Sequence, residues 1–295
     1  MQIKYILLIM LLFFGVILLL NILQLFKARF FPDKYYKQKF LALKNEPAIF
    51  AHRGKSEDYL ENSLDSIINA LNQGADGLEI DIRLTKDNQI VAFHDEDLNR
   101  LTGIDEKIRN LTLEELKDID LLVEEEKGEN RRGNKIKCKI ASLKEILNQF
   151  MPIPLIIELK DEQEELIKEL ASLINHSDIT DNILLGSFDY KTIKRTREEI
   201  SAVPTTASKK EAIIFYLLAH LGIAGWLDWD FKAFSLPTYY LGLPVLTPIF
   251  RTAARAAGIK IFIWTINDPQ EFQRLAKMEV HGIMTDYPEK MAKKF

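Results

Sequence analysis

Short apolar runs typical of β-strands alternate with longer helical patterns along most of this chain. This alternation constrains the fold more than any other feature, because it predicts a parallel sheet whose strands are covered by helices. The number of repeats indicates an α/β fold, the closed TIM (β/α)8 barrel, and 295 residues suit one such domain. The strands are predicted at 48–52, 77–84, 90–94, 154–160, 183–188, 202–206, 233–237, 260–266 and 282–286.

Nine predicted strands compete for eight barrel positions, so at least one of them lies outside the barrel. The segments at 202–206 and 233–237 carry the weakest strand patterns. Between the second and third predicted strands, residues 85–89 are too few to form a helix. The regular alternation is therefore broken at that point.

An apolar run at residues 5–26 precedes the barrel pattern. Its length is enough to cross a hydrocarbon core of about 30 Å. A cleaved signal peptide is the alternative, but no small-residue cleavage pattern precedes Lys27 and no cysteine for a lipid anchor directly follows the run. We therefore interpret 5–26 as a single uncleaved transmembrane helix, 27–46 as a juxtamembrane linker and 47–295 as the barrel domain.

The distribution of basic residues predicts the orientation of this helix. Five lysines and arginines follow the run within residues 27–39, whereas Lys4 and the terminal amine precede it. The positive-inside rule then favours a single-pass membrane protein whose barrel lies on the cytoplasmic side. The same basic and aromatic stretch suits contact with anionic lipid head groups.

The overall charge excludes one class of partner. A net charge of -4 and a pI of about 5.9 argue against nucleic-acid binding, which needs concentrated basic surface. The single cysteine, Cys138, excludes an internal disulfide. The sequence carries no signal for an oligomeric state.

Two segments do not fit the alternation. Residues 124–138 are charged and rich in turn formers, which predicts a mobile surface loop. Residues 211–230 are strongly apolar and aromatic but are interrupted by charged residues and glycines, so they are a poor membrane span. They form either a buried barrel helix or a lid that dips into a membrane near the functional site.

Acidic side chains fall near the ends of two predicted strands. Glu79 and Asp81 lie two residues apart on one strand and therefore point to the same face, and Glu158 lies near the end of another. The carboxyl ends of barrel strands converge on one mouth. Three carboxylates in one pocket need a countercharge, and oxygen ligands suit Mg²⁺ or Ca²⁺. We therefore expect one divalent cation.

Histidines and basic residues fall at the same end. His52 and His94 end two predicted strands, Arg53 follows His52, and Lys160 lies two residues after Glu158. A single histidine at a strand end is more often structural than catalytic, and acidic pairs are often solvated. Together, however, two histidines can act as general base and general acid on a phosphodiester while the cations offset its charge.

Several strings of the sequence resemble the glycerophosphodiester phosphodiesterase domain family. They are AHRG at 51–54, EN at 61–62, the run at 74–103, IELK at 157–160, WTIND at 264–268 and GIMTDYP at 282–288. The resemblance implies a TIM barrel that hydrolyses glycerophosphodiesters to an alcohol and glycerol 3-phosphate. It also implies roles for individual residues: catalysis for His52 and His94, metal binding for Glu79, Asp81 and Glu158, and substrate contacts for Arg53, Lys160 and Trp264.

Other activities stay open on the same barrel. The N-terminal helix resembles that of a membrane-bound branch of the family, which hydrolyses lysophospholipids to lysophosphatidic acid in a lysophospholipase D reaction. A phospholipase C-type lyase, which forms a cyclic phosphate, would also use two histidines. A non-catalytic lipid-binding barrel is the third alternative, and the presence of every expected site residue argues against it.

Other polar residues receive structural interpretations or open alternatives. His176, His220 and His281 are interpreted as structural. Asp286, at the end of the last predicted strand, either orients a cation or solvent at the mouth or caps a turn. Asn62 either supports the metal site or caps a helix, a role that its neighbour Ser63 can also fill.

Overall fold

The central sheet of the computed structural model curls into a barrel of parallel strands. The structure describes residues 2–30, 40, 43, 47–56, 59–123, 136–174 and 179–293. The strands are β1 (Ala48–His52), β2 (Gly77–Leu84), β3 (Ile90–Ala92), β4 (Leu121–Val123), β5 (Ile136–Cys138), β6 (Ala141–Ser142), β7 (Leu155–Leu159), β8 (Ile183–Gly186), β9 (Ala233–Leu236), β10 (Tyr239–Tyr240), β11 (Leu243–Pro244), β12 (Lys260–Ile263) and β13 (Gly282–Thr285). The helices are α1 (Gln2–Phe30), α2 (Leu64–Asn72), α3 (Asn99–Thr102), α4 (Leu113–Asp118), α5 (Leu143–Phe150), α6 (Glu164–Ile174), α7 (Tyr190–Glu199), α8 (Lys209–His220), α9 (Pro248–Ala257), α10 (Pro269–Ala276) and α11 (Pro288–Ala292), with short 3-10 turns at Ile108–Asn110, Thr180–Asn182 and Ala224–Trp226.

Parallel pairing runs around the barrel in the order β8, β7, β2, β1, β13, β12, β9. The remaining position is filled by residues 205–206. Thr205 forms a parallel bridge with Leu185 of β8, and Thr206 forms one with Ala233 of β9, so the ring closes. This confirms the predicted TIM barrel, although the predicted strand at 202–206 is reduced to two bridged residues. The segment at 233–237 is a strand, as predicted.

The segment predicted at 90–94 is a strand over Ile90–Ala92, but it is not one of the barrel strands. β3 pairs antiparallel with the end of β2, with Leu84 opposite Ile90, and lies outside the barrel. The five-residue link cannot hold a crossover helix, so the chain turns back tightly and Asn88 adopts a positive φ of 58°. His94 therefore does not end a barrel strand. It follows β3 on the loop that this hairpin carries.

Aromatic side chains close the barrel at the amino ends of its strands. Phe40, Phe50 and Phe262 are fully buried, and their ring centroids lie 5.5–5.7 Å apart. Glycines make room for them: a Cβ at Gly77 would lie 2.5 Å from the Phe50 ring, and one at Gly282 would lie 2.5 Å from the Phe262 ring. Any cavity at the barrel axis must therefore open at the other end, where the strands finish.

Helix α1 is longer than the predicted span at 5–26 and is continuous to Phe30. Within the described residues, its section Tyr5–Phe30 is long and apolar enough to cross a membrane, with a mean hydropathy of 3.1. The predicted linker at 27–46 begins inside this helix, and apart from Phe40 and Leu43 its remainder lies outside the described residues.

The predictions for the two irregular segments, 124–138 and 211–230, compare differently with the structure. Most of the predicted loop at 124–138 lies outside the described residues, but its end is β5, which pairs antiparallel with β4 and is not a loop. The apolar segment at 211–230 begins with most of α8, which buries Phe215 and leaves Leu217 59% exposed. It is thus a packed barrel helix that also carries apolar side chains on its outer face.

Candidate active site

A cavity of about 270 Å³ opens at the carboxyl ends of the barrel strands. Strand register explains how its polar wall forms: His52 on β1 lies beside Glu79 on β2, and Asp81 on β2 lies beside Glu158 on β7. All the site residues predicted from the sequence line this cavity, namely His52, Arg53, Glu79, Asp81, His94, Glu158, Lys160 and Trp264.

Three carboxylates form one acidic cluster. One oxygen from each of Glu79, Asp81 and Glu158 lies within 4.8 Å of the others. Glu79 and Asp81 are almost fully buried, and burial together with the charge of Asp81 raises the pKa of Glu79 to about 8. The cluster therefore cannot be fully ionised at neutral pH without additional positive charge. An all-oxygen set of this kind suits a hard divalent cation such as Mg²⁺ or Ca²⁺.

Two basic side chains lie against the cluster. Lys160 Nζ lies 2.6 Å from Glu158 Oε1 and 2.9 Å from Asp81 Oδ1, and Arg53 Nε lies 2.9 Å from Asp81 Oδ2. Burial raises the pKa of Asp81, but the charges of Lys160 and Arg53 outweigh it, so the net effect is a lowered pKa. Asp81 is therefore an anion, with cations on two sides.

Asn62 forms hydrogen bonds to Asp81. Its side-chain oxygen accepts a hydrogen bond from the Asp81 backbone N at 3.2 Å, and its Nδ2 donates to Asp81 Oδ2 at 3.4 Å. The alternative role, capping of α2, belongs to Ser63, whose side chain accepts from Ser66 N. The structure therefore supports the first alternative for Asn62, in which it supports the acidic cluster.

His52 is oriented by the carboxylate of Asp286, which directly follows the last barrel strand. Its Nδ1 lies 2.8 Å from Asp286 Oδ1, which also accepts from Ser56 Oγ at 2.9 Å, while Asn267 Nδ2 donates to Asp286 Oδ2 at 2.7 Å. Burial lowers the pKa of His52, but the hydrogen bond to Asp286 and the charge of Glu79 raise it overall. Because Asp286 holds Nδ1, the other nitrogen, Nε2, lies on the side of Glu79, 3.9 Å from its Oε2.

His94 is oriented in the same way by its neighbour. Its Nδ1 lies 2.7 Å from Asp95 Oδ1, and Asp95 in turn accepts from Arg100 Nε at 2.5 Å. Arg83 donates to the His94 carbonyl from two nitrogens, at 3.0 and 2.8 Å. These contacts fix the loop that follows β3, so His94 lines the cavity without lying on a barrel strand.

An aromatic pair also lines the cavity. The rings of Phe188 and Trp264 meet edge to face, with centroids 5.8 Å apart, and Lys160 Nζ lies 5.7 Å above the Phe188 ring. Sequence reasoning missed Phe188, although its position at the end of the predicted strand 183–188 was an available signal. It also left the role of Asp286 open, and it did not select Asp95.

Two of the remaining histidines, His220 and His281, lie away from the cavity. His281 Nδ1 accepts from Ile261 N at 3.0 Å, and burial lowers the pKa of this histidine to about 3, so the ring is neutral. His220 contacts the Tyr216 carbonyl at 2.8 Å and Thr247 Oγ1 at 3.3 Å. Both are structural, as predicted. His176 lies outside the described residues.

Comparisons with known proteins agree with this geometry. Residues 52–290 match the glycerophosphoryl diester phosphodiesterase family. The chain is 27% identical over 280 residues to human lysophospholipase D GDPD1, covering 86% of each protein. It is also 27% identical over 248 residues to a glycerophosphodiester phosphodiesterase from Caldanaerobacter subterraneus subsp. tengcongensis, covering 82% of this chain and 94% of that protein. The crystal structure of a glycerophosphodiester phosphodiesterase from Thermotoga maritima is similar, with a TM-score of 0.64, 27% identity and coverage of 86% of this chain and 100% of that one.

Proposed function

Because the chain belongs to the glycerophosphoryl diester phosphodiesterase family, whose members are phosphoric diester hydrolases, we propose that it hydrolyses glycerophosphodiesters to an alcohol and glycerol 3-phosphate. One observation carries the proposal: a single cavity combines an acidic cluster, two basic side chains and two histidines. Each histidine is paired with an aspartate. Scattered structural residues would not produce this combination.

The two histidines supply proton transfer in this proposal. A water molecule attacks the phosphorus atom, and one histidine accepts the proton that the water loses. The bond between phosphorus and the alcohol oxygen breaks, and the other histidine donates a proton to that oxygen. Asp286 and Asp95 each hold an Nδ1, which leaves the Nε2 atoms of His52 and His94 free for these transfers.

The acidic cluster is the proposed cation site. Glu79, Asp81 and Glu158 would hold one divalent ion, Mg²⁺ or Ca²⁺, which when bound offsets the charge that develops on the phosphate oxygens. The raised pKa of Glu79 supports this assignment, since the charge of Arg53 does not offset burial and the neighbouring carboxylates. Arg53 and Lys160 contribute further positive charge to the phosphate, and Trp264 packs against the substrate from the aromatic side.

Helix α1 is proposed as an uncleaved, single-pass anchor, with the basic residues after it favouring a cytoplasmic barrel. Its C-terminal part is built into the barrel: Gln24 is buried, its Oε1 accepts from Gly225 N at 2.9 Å, and Lys27 Nζ donates to the Gly225 carbonyl at 2.6 Å. A cleaved leader would not supply a buried side chain to the folded domain. The proposed division is therefore an anchor at 5–26, a linker at 27–46 and a barrel at 47–295.

Lysophospholipase D activity is a second candidate. The similarity to human lysophospholipase D GDPD1 and the exposed apolar side chains of α8 both favour it. The reaction centre would be the same, and only the part of the substrate outside the cavity would differ.

A product assay separates the candidates. The full chain in detergent is supplied with glycerophosphocholine or lysophosphatidylcholine and with Mg²⁺ or Ca²⁺. Glycerol 3-phosphate from the first substrate supports glycerophosphodiester hydrolysis, and lysophosphatidate from the second supports lysophospholipase D activity. A cyclic phosphate would instead show a phospholipase C-type lyase, and no product from either substrate would reject the proposal.

A further inference from the structure

One face of α1 is docked on the barrel. The partly or fully buried positions repeat at helical spacing along its second half, and they are Ile17, Leu20, Asn21, Gln24, Lys27 and Ala28. The backbone of Leu20 passes so close to Gly222 that a Cβ on this glycine would lie 2.8 Å from it. Because the contact begins at Ile17, the barrel reaches well into the apolar part of the helix.

The contacts also show in which direction α1 leaves the barrel. Asn21 Nδ2 donates to the His220 carbonyl, and the His220 ring contacts Thr247, which caps the start of α9 on the mouth side. Three residues further along α1, Gln24 lies beside Gly225, which packs against Ala256 at the other end of α9. Helix α1 therefore runs in the same direction as α9, and its exposed N-terminal half projects past the cavity mouth.

The length of the exposed part leaves no spacer between barrel and membrane. Residues 5–16 are exposed, and at about 1.5 Å per residue they span about 18 Å. A hydrocarbon core is about 30 Å thick. If α1 crosses a bilayer, the start of its docked half must lie within the hydrocarbon core, so the barrel must lie directly on the membrane.

An apolar surface beside the mouth faces the direction in which the exposed half of α1 projects. We call it the mouth patch. It consists of Ile213 and Leu217 on α8, Leu221 directly after α8, and Tyr239, Leu241 and Leu243 on the β10–β11 hairpin. Leu241 at the hairpin tip is 84% exposed. Tyr216 Oη donates to the Pro244 carbonyl at 3.4 Å, which joins the two parts. At its α8 end the patch is continuous with α1, because Gly222 packs on Leu20.

The mouth patch is also adjacent to the cavity. Ala207 and Ser235 line the cavity, and from these two residues the chain continues into α8 and into the β10–β11 hairpin. Lys209 lies 5.3 Å from the Tyr240 ring centroid at the edge of the patch. Exposed apolar side chains bordered by tyrosine and lysine are typical of surfaces that rest in the head-group region of a membrane.

We infer that the barrel lies mouth-down on the bilayer that α1 crosses, with the mouth patch inserted among the lipids. The cavity then opens toward the membrane surface, and substrates that reside in the bilayer reach it without leaving the lipid phase. The inference rests on α1 being the proposed anchor, but not on the proposed chemistry at the acidic cluster.

Lipid-dependent fluorescence quenching tests the inference on the full chain. Leu241→Cys and Leu217→Cys are introduced together with Cys138→Ala, which removes the buried native thiol, and are labelled with a small fluorophore. The proteins are placed in nanodiscs of phosphatidylcholine and phosphatidylglycerol, with or without doxyl-labelled lipid. Asn72→Cys, at the exposed end of α2 on the closed side of the barrel, is the matched control.

Both mouth-patch probes should lose most of their emission to the doxyl lipid and be protected from aqueous iodide, whereas the Asn72 probe should show the reverse. Mouth-patch probes that respond to iodide and not to doxyl lipid would overturn the inference. Protection from both quenchers would also overturn it, because a protein surface rather than lipid would then cover the patch. Since no result depends on turnover, failure of the proposed reaction would leave this test unaffected.

Discussion

Replacing Asp286 with asparagine tests whether the His52–Asp286 contact supports catalysis. The substitution keeps the shape of the side chain but removes the negative charge 2.8 Å from His52 Nδ1. A hydrogen bond to a charged group contributes about 1.5–3 kcal/mol, so kcat should fall roughly 10- to 150-fold if the bond acts fully in the transition state. KM should change little, because Asp286 does not line the cavity.

The pH dependence of kcat/KM is a second measurement on Asp286→Asn. It would not change if Asp286 had only a structural role. The hydrogen bond to Asp286 raises the pKa of His52 by favouring the charged imidazolium. Without it the pKa of His52 falls, so the limb of the kcat/KM profile that reports His52 should move to lower pH. A shifted acidic limb would identify His52 as the base, and a shifted basic limb would identify it as the acid.

Ser56→Ala is the matched control. Ser56 Oγ also donates to Asp286 Oδ1, but its removal leaves the carboxylate of Asp286 in place. Its kcat should stay close to that of the wild type. Thermal unfolding of all three proteins separates a catalytic loss from a folding defect. If Asp286→Asn retains both kcat and the pH profile of the wild type, the assignment of Asp286 as a positioning residue for His52 is wrong.

Three further predictions follow from the cation site and the barrel core. Glu79→Gln should weaken Mg²⁺ or Ca²⁺ binding by about tenfold or more in calorimetry, since it removes one charged ligand oxygen, and unchanged affinity would place the cation elsewhere. Because the pKa of Glu79 is raised to about 8, a bound cation must displace a proton below that pH, so wild-type affinity should rise between pH 6 and pH 8, and a flat profile would argue against displacement. Gly77→Ala should destabilise the barrel by about 1–3 kcal/mol in denaturant unfolding, because its Cβ would lie 2.5 Å from the Phe50 ring, whereas Gly15→Ala, with nothing within 4 Å, should have no comparable effect.

The sequence predicted most of the site because barrel geometry converts strand ends into neighbours. Glu79 and Asp81 could be assigned to one face from their spacing alone, and Glu158 reached the same mouth because its strand is parallel to theirs. These relations need only the period of a strand and the direction of the sheet.

The remaining features depend on contacts that local patterns do not encode. The apolar run ending at His94 reads like any buried strand, and only its pairing shows that it folds back antiparallel on β2. Asp286 is 234 residues from His52 in the chain, so no local pattern connects them. The docking of α1 could not be predicted for a related reason. In the sequence, Gln24 is only a polar residue within an apolar span, and its partner Gly225 is about 200 residues away in the chain.

The central claim is that a cation held by the acidic cluster and proton transfer by the two histidines cleave a phosphodiester at this mouth. The most direct test measures glycerol 3-phosphate released from glycerophosphocholine by the full chain, before and after EDTA, and by His52→Ala and Glu158→Ala. We predict that EDTA abolishes glycerol 3-phosphate release and that added Mg²⁺ or Ca²⁺ restores it. We also predict that the two variants release little product even with added cation. Release that is indifferent to EDTA, or variants as fast as the wild type, would contradict the claim.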